Sequence, residues 1–175
     1  ADYALLTEVG AIHIPAHLSF EEAATLPCAA LTAWNAVVEA ARIRAGETIA
    51  ILGTGVVSVF ALAFAKMHGA TVFLTSSSDE KLARGRALGA DHLVNYRATP
   101  EWDAEIRKLN GGAGVDHVIE VGGANTLQRS MSLVRQGGGI YVIGSLAGAG
   151  SIDPRMINRK SIRLQGIHVG SRDMF

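Results

Sequence analysis

The stretch Thr48-Ile49-Ala50-Ile51-Leu52-Gly53-Thr54-Gly55-Val56-Val57-Ser58, continuing into Phe60-Ala61-Leu62-Ala63-Phe64-Ala65-Lys66, constrains the fold most strongly. A short apolar run stops at Gly53, turns through Gly55 and passes at once into an Ala-rich segment of helical character. A strand that turns tightly into a helix aims several free backbone N–H groups, and the positive end of the helix dipole, at one spot. Gly53 allows the tight turn, and Gly55 lets a pyrophosphate approach the backbone. Ser58 stands where the third glycine of G-x-G-x-x-G belongs. A bare Gly-x-Gly also reads as ordinary turn punctuation, so the surrounding chain has to decide.

The surroundings alternate. Strands are predicted at Thr48–Leu52, Thr71–Thr75, His92–Asn95, Asp116–Val121, Ile140–Gly144 and Ile162–Val169. Helices are predicted at Val56–His68, Asp79–Leu88, 101–109 and 125–135, with a short one near 154–159. Upstream, Ser19 with Glu21 and Glu22 opens a helix that Pro27 interrupts, and a second runs from about Ala29 to Ala41. The run Val56–Ala65 is apolar on all sides and is expected to be buried on both faces. Strands that are continuously apolar and joined by helices specify a parallel sheet covered on both faces. The expected fold is α/β, a doubly wound six-stranded parallel sheet of Rossmann type in the order 3-2-1-4-5-6.

In that fold ligands bind beyond the carboxyl ends of the strands, where the strand order reverses. The corners there are Gly53–Val57, Ser76–Asp79, Val121–Gly123 and 144–146, and three of the four carry glycine. Together they favour a dinucleotide lying on bare backbone. The end of the second strand chooses between cofactors: NAD sites place an acid there to hold the ribose 2′-hydroxyl, and a carboxylate would repel a 2′-phosphate. Here the chain reads Ser76-Ser77-Ser78, then Asp79, Glu80 and Lys81. The hydroxyls and the ammonium favour NADP(H) over NAD, although the two acids blur the choice. Ser78 also reads as a helix cap, and both readings hold together.

Composition excludes several other classes. Sixteen basic residues balance sixteen acidic ones, which gives no electrostatic case for nucleic acid or an anionic membrane surface. With 49% hydrophobic and 18% charged residues, the chain is a folded globular one. Its longest nearly apolar stretch, Val56–Ala65, is about half of what spans a bilayer. The first residues, Ala1 to Gly10, carry no signal-peptide pattern, and one cysteine, Cys28, suits a reducing compartment, so a cytoplasmic location is expected.

The chain resembles the medium-chain dehydrogenase/reductase superfamily of zinc-type alcohol dehydrogenases and quinone oxidoreductases. Several segments carry the resemblance in the family's order. They are Leu18-Ser19-Phe20-Glu21-Glu22-Ala23-Ala24-Thr25-Leu26-Pro27-Cys28, Leu31-Thr32-Ala33-Trp34, the loop at Gly53, Leu88-Gly89-Ala90-Asp91, Asn95-Tyr96-Arg97, Gly114-Val115-Asp116 and Glu120-Val121-Gly122-Gly123. The resemblance implies the cofactor-binding half of an NADP(H)-dependent oxidoreductase, transferring hydride to or from a carbonyl, alcohol, or activated alkene or quinone. A non-catalytic NADPH-binding module is the alternative. Residues 1–17 would be the tail of a barrel-like catalytic domain that supplies the small-molecule substrate site, and 18–175 the NAD(P)-binding domain. A homodimer joined through the sixth strand is also implied, since Ile162–Val169 would otherwise be an exposed apolar edge.

Residue by residue, the resemblance places Thr32 near the nicotinamide and Gly53, Gly55, Val56 and Val57 around the pyrophosphate. Ser76, Ser77, Lys81 and Tyr96 fall on the 2′-phosphate and adenosine ribose. Val121, Gly122, Gly144, Ser145 and Leu146 fall around the nicotinamide ribose and ring, and Gly170, Ser171 and Arg172 where relatives close over the cofactor. Val56 stands where most relatives have glycine and would crowd the pyrophosphate. Cys28 matches a zinc ligand of the zinc alcohol dehydrogenases. The six histidines show no ligand spacing, however, so a buried thiol acting as a small apolar residue is expected instead, and zinc is not.

Overall fold

The structure, a computed structural model, describes residues 4–144 and 147–175. Six parallel strands form one sheet: β1 Thr48–Ile51, β2 Thr71–Ser76, β3 His92–Asn95, β4 Val115–Glu120, β5 Val134–Val142 and β6 Arg163–Gly166. Their order is β3-β2-β1-β4-β5-β6, the doubly wound arrangement expected from the sequence. The helices are α1 Phe20–Ala24, α2 Leu31–Trp34, α3 Val56–Met67, α4 Asp79–Ala87, α5 Trp102–Leu109, α6 Ala124–Leu133 and α7 Pro154–Lys160.

Strand alternation divides the core in two. Ile49, Ile51, Val72, Leu74 and Ile119 face one layer, with Ala61, Leu62 and Ala65 of α3. Ala50, Leu52, Phe73, Val118 and Ile140 face the other, with Trp102 and Ile106 of α5 and Met131 and Leu133 of α6. Apolar residues on both faces are what a parallel sheet with a helical layer on each side requires.

Four sequence expectations are corrected. Helix α3 is not buried all round: Ser58, Ala61, Leu62 and Ala65 form its inner stripe, whereas Val56, Val59 and Met67 are exposed. The sides against the sheet and against α2 are covered, with Phe64 edge-on to Trp34, and the apolar side chains of the remaining face stay in solvent. The helix after Pro27 begins earlier than Ala29. A π-helical turn Leu26–Ala30 carries Pro27 in its first turn, leads into α2 and is followed by a second π turn, Asn35–Ala40. Proline is tolerated there because a first turn has no N–H partner to lose.

The fifth strand takes in the triple glycine instead of following it. Helix α6 ends at Leu133, and β5 runs through Gly137-Gly138-Gly139 with a register shift between Val115 and His117 of its neighbour. A Cβ at Gly138 would lie 2.6 Å from the Val134 side chain and 2.7 Å from the Asp116 carbonyl, so close packing requires glycine within this strand. The sixth strand is shorter than expected. Ile162 and Ile167 are buried on either side of it, while Arg163, Gln165 and Gly166 are exposed, so the edge is polar.

Candidate cofactor site

Gly53 leaves β1 with φ +73°, a left-handed conformation that favours glycine. Its N–H donates to Thr75 Oγ1 (3.1 Å), and the Thr54 and Ser76 hydroxyls lie 2.9 Å apart, tying the glycine corner to the end of β2. Gly55 is the N-cap of α3, and no side chain caps the helix. A Cβ at Gly55 would meet nothing within 4 Å, so the space over the first turn is open. Ser58 is buried, and its hydroxyl donates to the Leu52 carbonyl (2.8 Å), so the residue replacing the third glycine secures the helix to the strand end. Val56, 57% exposed, keeps its side chain at the open first turn.

At the β2 corner, Ser76 is buried while Ser77 is half-buried and Lys81 exposed. Ser78 caps α4, accepting from Lys81 N (3.4 Å). The two acids that blurred the cofactor choice are engaged within the protein. Asp79 accepts from Asn95 Nδ2 (2.7 Å), and Glu80 pairs with Arg84 (2.6 Å).

The strand-order reversal falls between β1 and β4. A cleft of about 330 Å³ opens beside it, lined by Gly53, Tyr96, Val121 and Gly122 together with Leu52, Thr75, Pro100, Trp102 and Thr126. Four sequence-predicted residues therefore meet in one cleft, with Gly55, Val56 and Val57 continuing from Gly53. Gly144 donates its N–H to the Glu120 carbonyl (3.2 Å), and any side chain there would strike the Val121 carbonyl. Ser145 and Leu146 lie outside the described residues.

Thr32 is buried in α2, with its hydroxyl donating to the Cys28 carbonyl (2.6 Å). Gly170 and Ser171 follow β6. A Cβ at Gly170 would sit 2.9 Å from Leu31 of α2, and the Val169 carbonyl accepts from Asn35 Nδ2 (2.8 Å), which holds this segment to the same helical run as Thr32.

Sequence reasoning gave no role to Glu120. It ends β4 and is fully buried. Its Oε1 accepts from Gly122 N (2.8 Å), Gly123 N (3.1 Å) and Thr126 Oγ1 (2.5 Å), and its Oε2 from Ser130 Oγ. Its backbone carbonyl accepts from Ile143 N (2.8 Å) and Gly144 N. One residue thus fixes the Val121–Gly123 turn, the start of α6 and the end of β5. The signal was present: a lone acid ending an apolar strand must be surrounded by donors.

The cradle fits a dinucleotide: open backbone donors at α3, a left-handed glycine, hydroxyls and an ammonium at the β2 corner. The residues do not fit zinc. Cys28 is exposed, correcting the expectation of a buried thiol, and no group of three His, Cys, Asp or Glu among the described residues is placed to hold a metal. Among the described residues, no helix is long and apolar enough to cross a membrane.

The profile of a family described as zinc-binding dehydrogenase matches residues 56–175. The chain belongs to that family. A zinc-type alcohol dehydrogenase-like protein of Schizosaccharomyces pombe is 46% identical over 99% of this chain and 52% of its own length. A putative alcohol dehydrogenase from Sinorhizobium meliloti 1021 has a crystal structure that superposes with a TM-score of 0.82 at 46% identity, covering 87% of this chain and 45% of that one. The quinone oxidoreductase of Thermus thermophilus, whose structures include a complex with NADPH, superposes with a TM-score of 0.75 at 33% identity, covering 89% and 49%. The chain spans about half the length of these relatives. Its fold is that of their nucleotide-binding domain, and the family is one of oxidoreductases.

Proposed function

We propose that this chain is the NADP(H)-binding part of an oxidoreductase acting on a carbonyl, an alcohol, or an activated alkene or quinone. The observation that carries the reading is the bare N-terminus of α3 beside a left-handed Gly53, whereas Ser78 caps α4 and the Glu120 carboxylate fills the turn before α6. Gly55, Val56 and Val57 would offer backbone N–H groups to the pyrophosphate. Ser76, Ser77, Lys81 and Tyr96 would hold the 2′-phosphate and adenosine ribose, and Val121, Gly122 and Gly144 the nicotinamide end. The segment Gly170–Arg172 would flank the cofactor together with Thr32. When bound, the nicotinamide supplies the hydride chemistry. The chain's own residues bind and orient it: Glu120 holds the Gly122–Gly123 turn, and the Thr54–Ser76 contact holds two corners together.

The preference for the 2′-phosphate rests on Lys81, with Asp79 and Glu80 turned to Asn95 and Arg84. Residues 4–17, exposed throughout, belong in this reading to a substrate-binding domain, and the outer edge of β6 pairs with a second copy. Calorimetric titration with NADPH, NADH and S-adenosylmethionine tests the reading. NADPH binds tightest, and Lys81→Ala weakens NADPH by roughly tenfold, the loss of one charge-assisted contact of about 1.4 kcal/mol, leaving NADH unchanged. Equal binding of NADPH and NADH, untouched by Lys81→Ala, would remove the NADP assignment. Binding of S-adenosylmethionine alone would remove the oxidoreductase.

A further inference from the structure

At the amino ends of β1, β4, β5 and β6, opposite the cofactor cleft, lies a second cavity of about 230 Å³. Four arginines line it, Arg42, Arg44, Arg135 and Arg163, against two carboxylates, Glu47 and Asp116. Helix termination sets the first pair. Arg42 takes a left-handed φ of +52°, Ile43 is buried with its N–H on the Val37 carbonyl (3.2 Å), and Arg42 and Arg44 stand exposed on either side of it.

Both carboxylates are already committed. Asp116 accepts from Thr48 N and Oγ1 (2.7 Å each) and pairs with Arg135 Nε (2.6 Å). Glu47 accepts from Arg44 N (2.8 Å) and faces His117 Nε2 (3.2 Å). Arg163 spends one donor on the buried Tyr141 hydroxyl (2.7 Å), which sits 3.4 Å from His117 Nδ1. The guanidinium groups of Arg42 and Arg44 have no hydrogen bond or ion pair among the described residues; the contacts at this corner leave both free. Burial holds His117 below the ordinary imidazole range, against the opposite pull of Glu47, so the ring counts as neutral. Four guanidinium groups against two carboxylates leave a net charge of two positive.

We propose that this corner is a second binding site, for an oxyanion with two negative charges: a phosphate or the phosphate of a small phosphomonoester. Guanidinium groups present paired donors that match the oxygens of a phosphate, and two free positive charges match its charge at neutral pH. Gly137, Gly138 and Gly139 keep one wall free of side chains. The site is separate from the cofactor cleft, since Thr48 begins β1 and Gly53 lies beyond its far end, about 16 Å along the extended chain.

Inorganic phosphate, titrated at constant ionic strength against chloride and followed by thermal melting and by phosphorus NMR linewidth, tests the assignment. Wild-type protein should show saturable stabilisation by phosphate and none by chloride. The response should persist in Gly55→Asp, whose carboxylate closes the glycine corner to anions, and weaken at least tenfold in Arg42→Gln/Arg163→Gln. Arg44→Gln, an exposed side chain with no partner among the described residues, makes the same test should the double variant lose its circular-dichroism signature. No saturable response overturns the proposal. So does a response unchanged by the arginine variants, or one lost in Gly55→Asp alone, which would assign the phosphate to the cofactor cleft.

Discussion

Helices α3 and α4 begin at neighbouring corners of one sheet edge, each after a parallel strand, yet they treat their first backbone donors in opposite ways. Helix α4 is closed by its own sequence: the Ser78 hydroxyl accepts from the first turn, and Asp79 and Glu80 place negative charge there. Helix α3 has glycine as its N-cap, no acid in its first turn and no capping side chain. A third corner, at α6, also has a glycine cap, but Glu120 reaches up from β4 to take the donors of Gly122 and Gly123. A helix start with glycine in place of a Ser or Asp cap gives up roughly 0.3 kcal/mol of stability. Of these three corners, only α3 has neither a capping side chain nor a carboxylate at its turn, and it lies beside the strand-order reversal.

The comparison can be broken most severely at α6. Glu120→Ala leaves the Gly122, Gly123, Thr126 and Ser130 donors in a buried place without an acceptor. Unfolding free energy should fall by about 3–5 kcal/mol, and the melting temperature by roughly 10 °C. A change below about 1 kcal/mol in a denaturant titration would show that the buried donors find other partners and that Glu120 does not secure the corner.

The sharpest test converts α3 into α4. Gly55 has φ −75° and ψ 175°, which any residue adopts, and a Cβ added there would have no atom within 4 Å. Gly55→Asp should therefore cap the helix, raising stability by about 0.5–1 kcal/mol. Its charge in the anion position should at the same time weaken NADPH binding by about 100-fold, or about 2.7 kcal/mol. A variant that binds NADPH normally would place the dinucleotide elsewhere. The converse change is smaller. Ser78→Ala opens the α4 cap, costs about 1 kcal/mol in thermal or chemical unfolding and leaves NADPH affinity within about twofold. A large loss of affinity would show that Ser78 serves the ligand as well as the helix.

Much of this was legible in the sequence, because a parallel sheet covered on both faces forces apolar strands, and glycines mark its corners. The strands predicted at 48, 71, 92 and 116 and the Ser78 cap follow from local pattern, and the strand order from the doubly wound class that the alternation specifies. The misreadings share one cause: features that depend on distant contacts leave weak local signals. The glycines at 137–139 read as preceding the strand at 140–144, but their place in β5 is set by Val134 and by the Asp116 carbonyl of the neighbouring strand. Helix α3, apolar all round, read as buried on both faces, although contacts with the sheet and with α2 decide which sides are covered. Cys28 read as buried because free thiols usually are, and the π turn around Pro27 leaves it exposed. Glu120 went unassigned because its partners lie two to ten residues ahead, on a helix whose packing the pattern does not specify.

The most direct test follows backbone amide resonances while NADPH is titrated into the protein. Saturable shifts should be largest at Gly55, Val56, Val57 and Ser58, followed by Gly122 and Gly123, with the first-turn amides of α4 shifting less. Saturable binding that leaves the α3 amides unmoved, or no binding at all, would contradict the assignment of the open α3 corner to the dinucleotide.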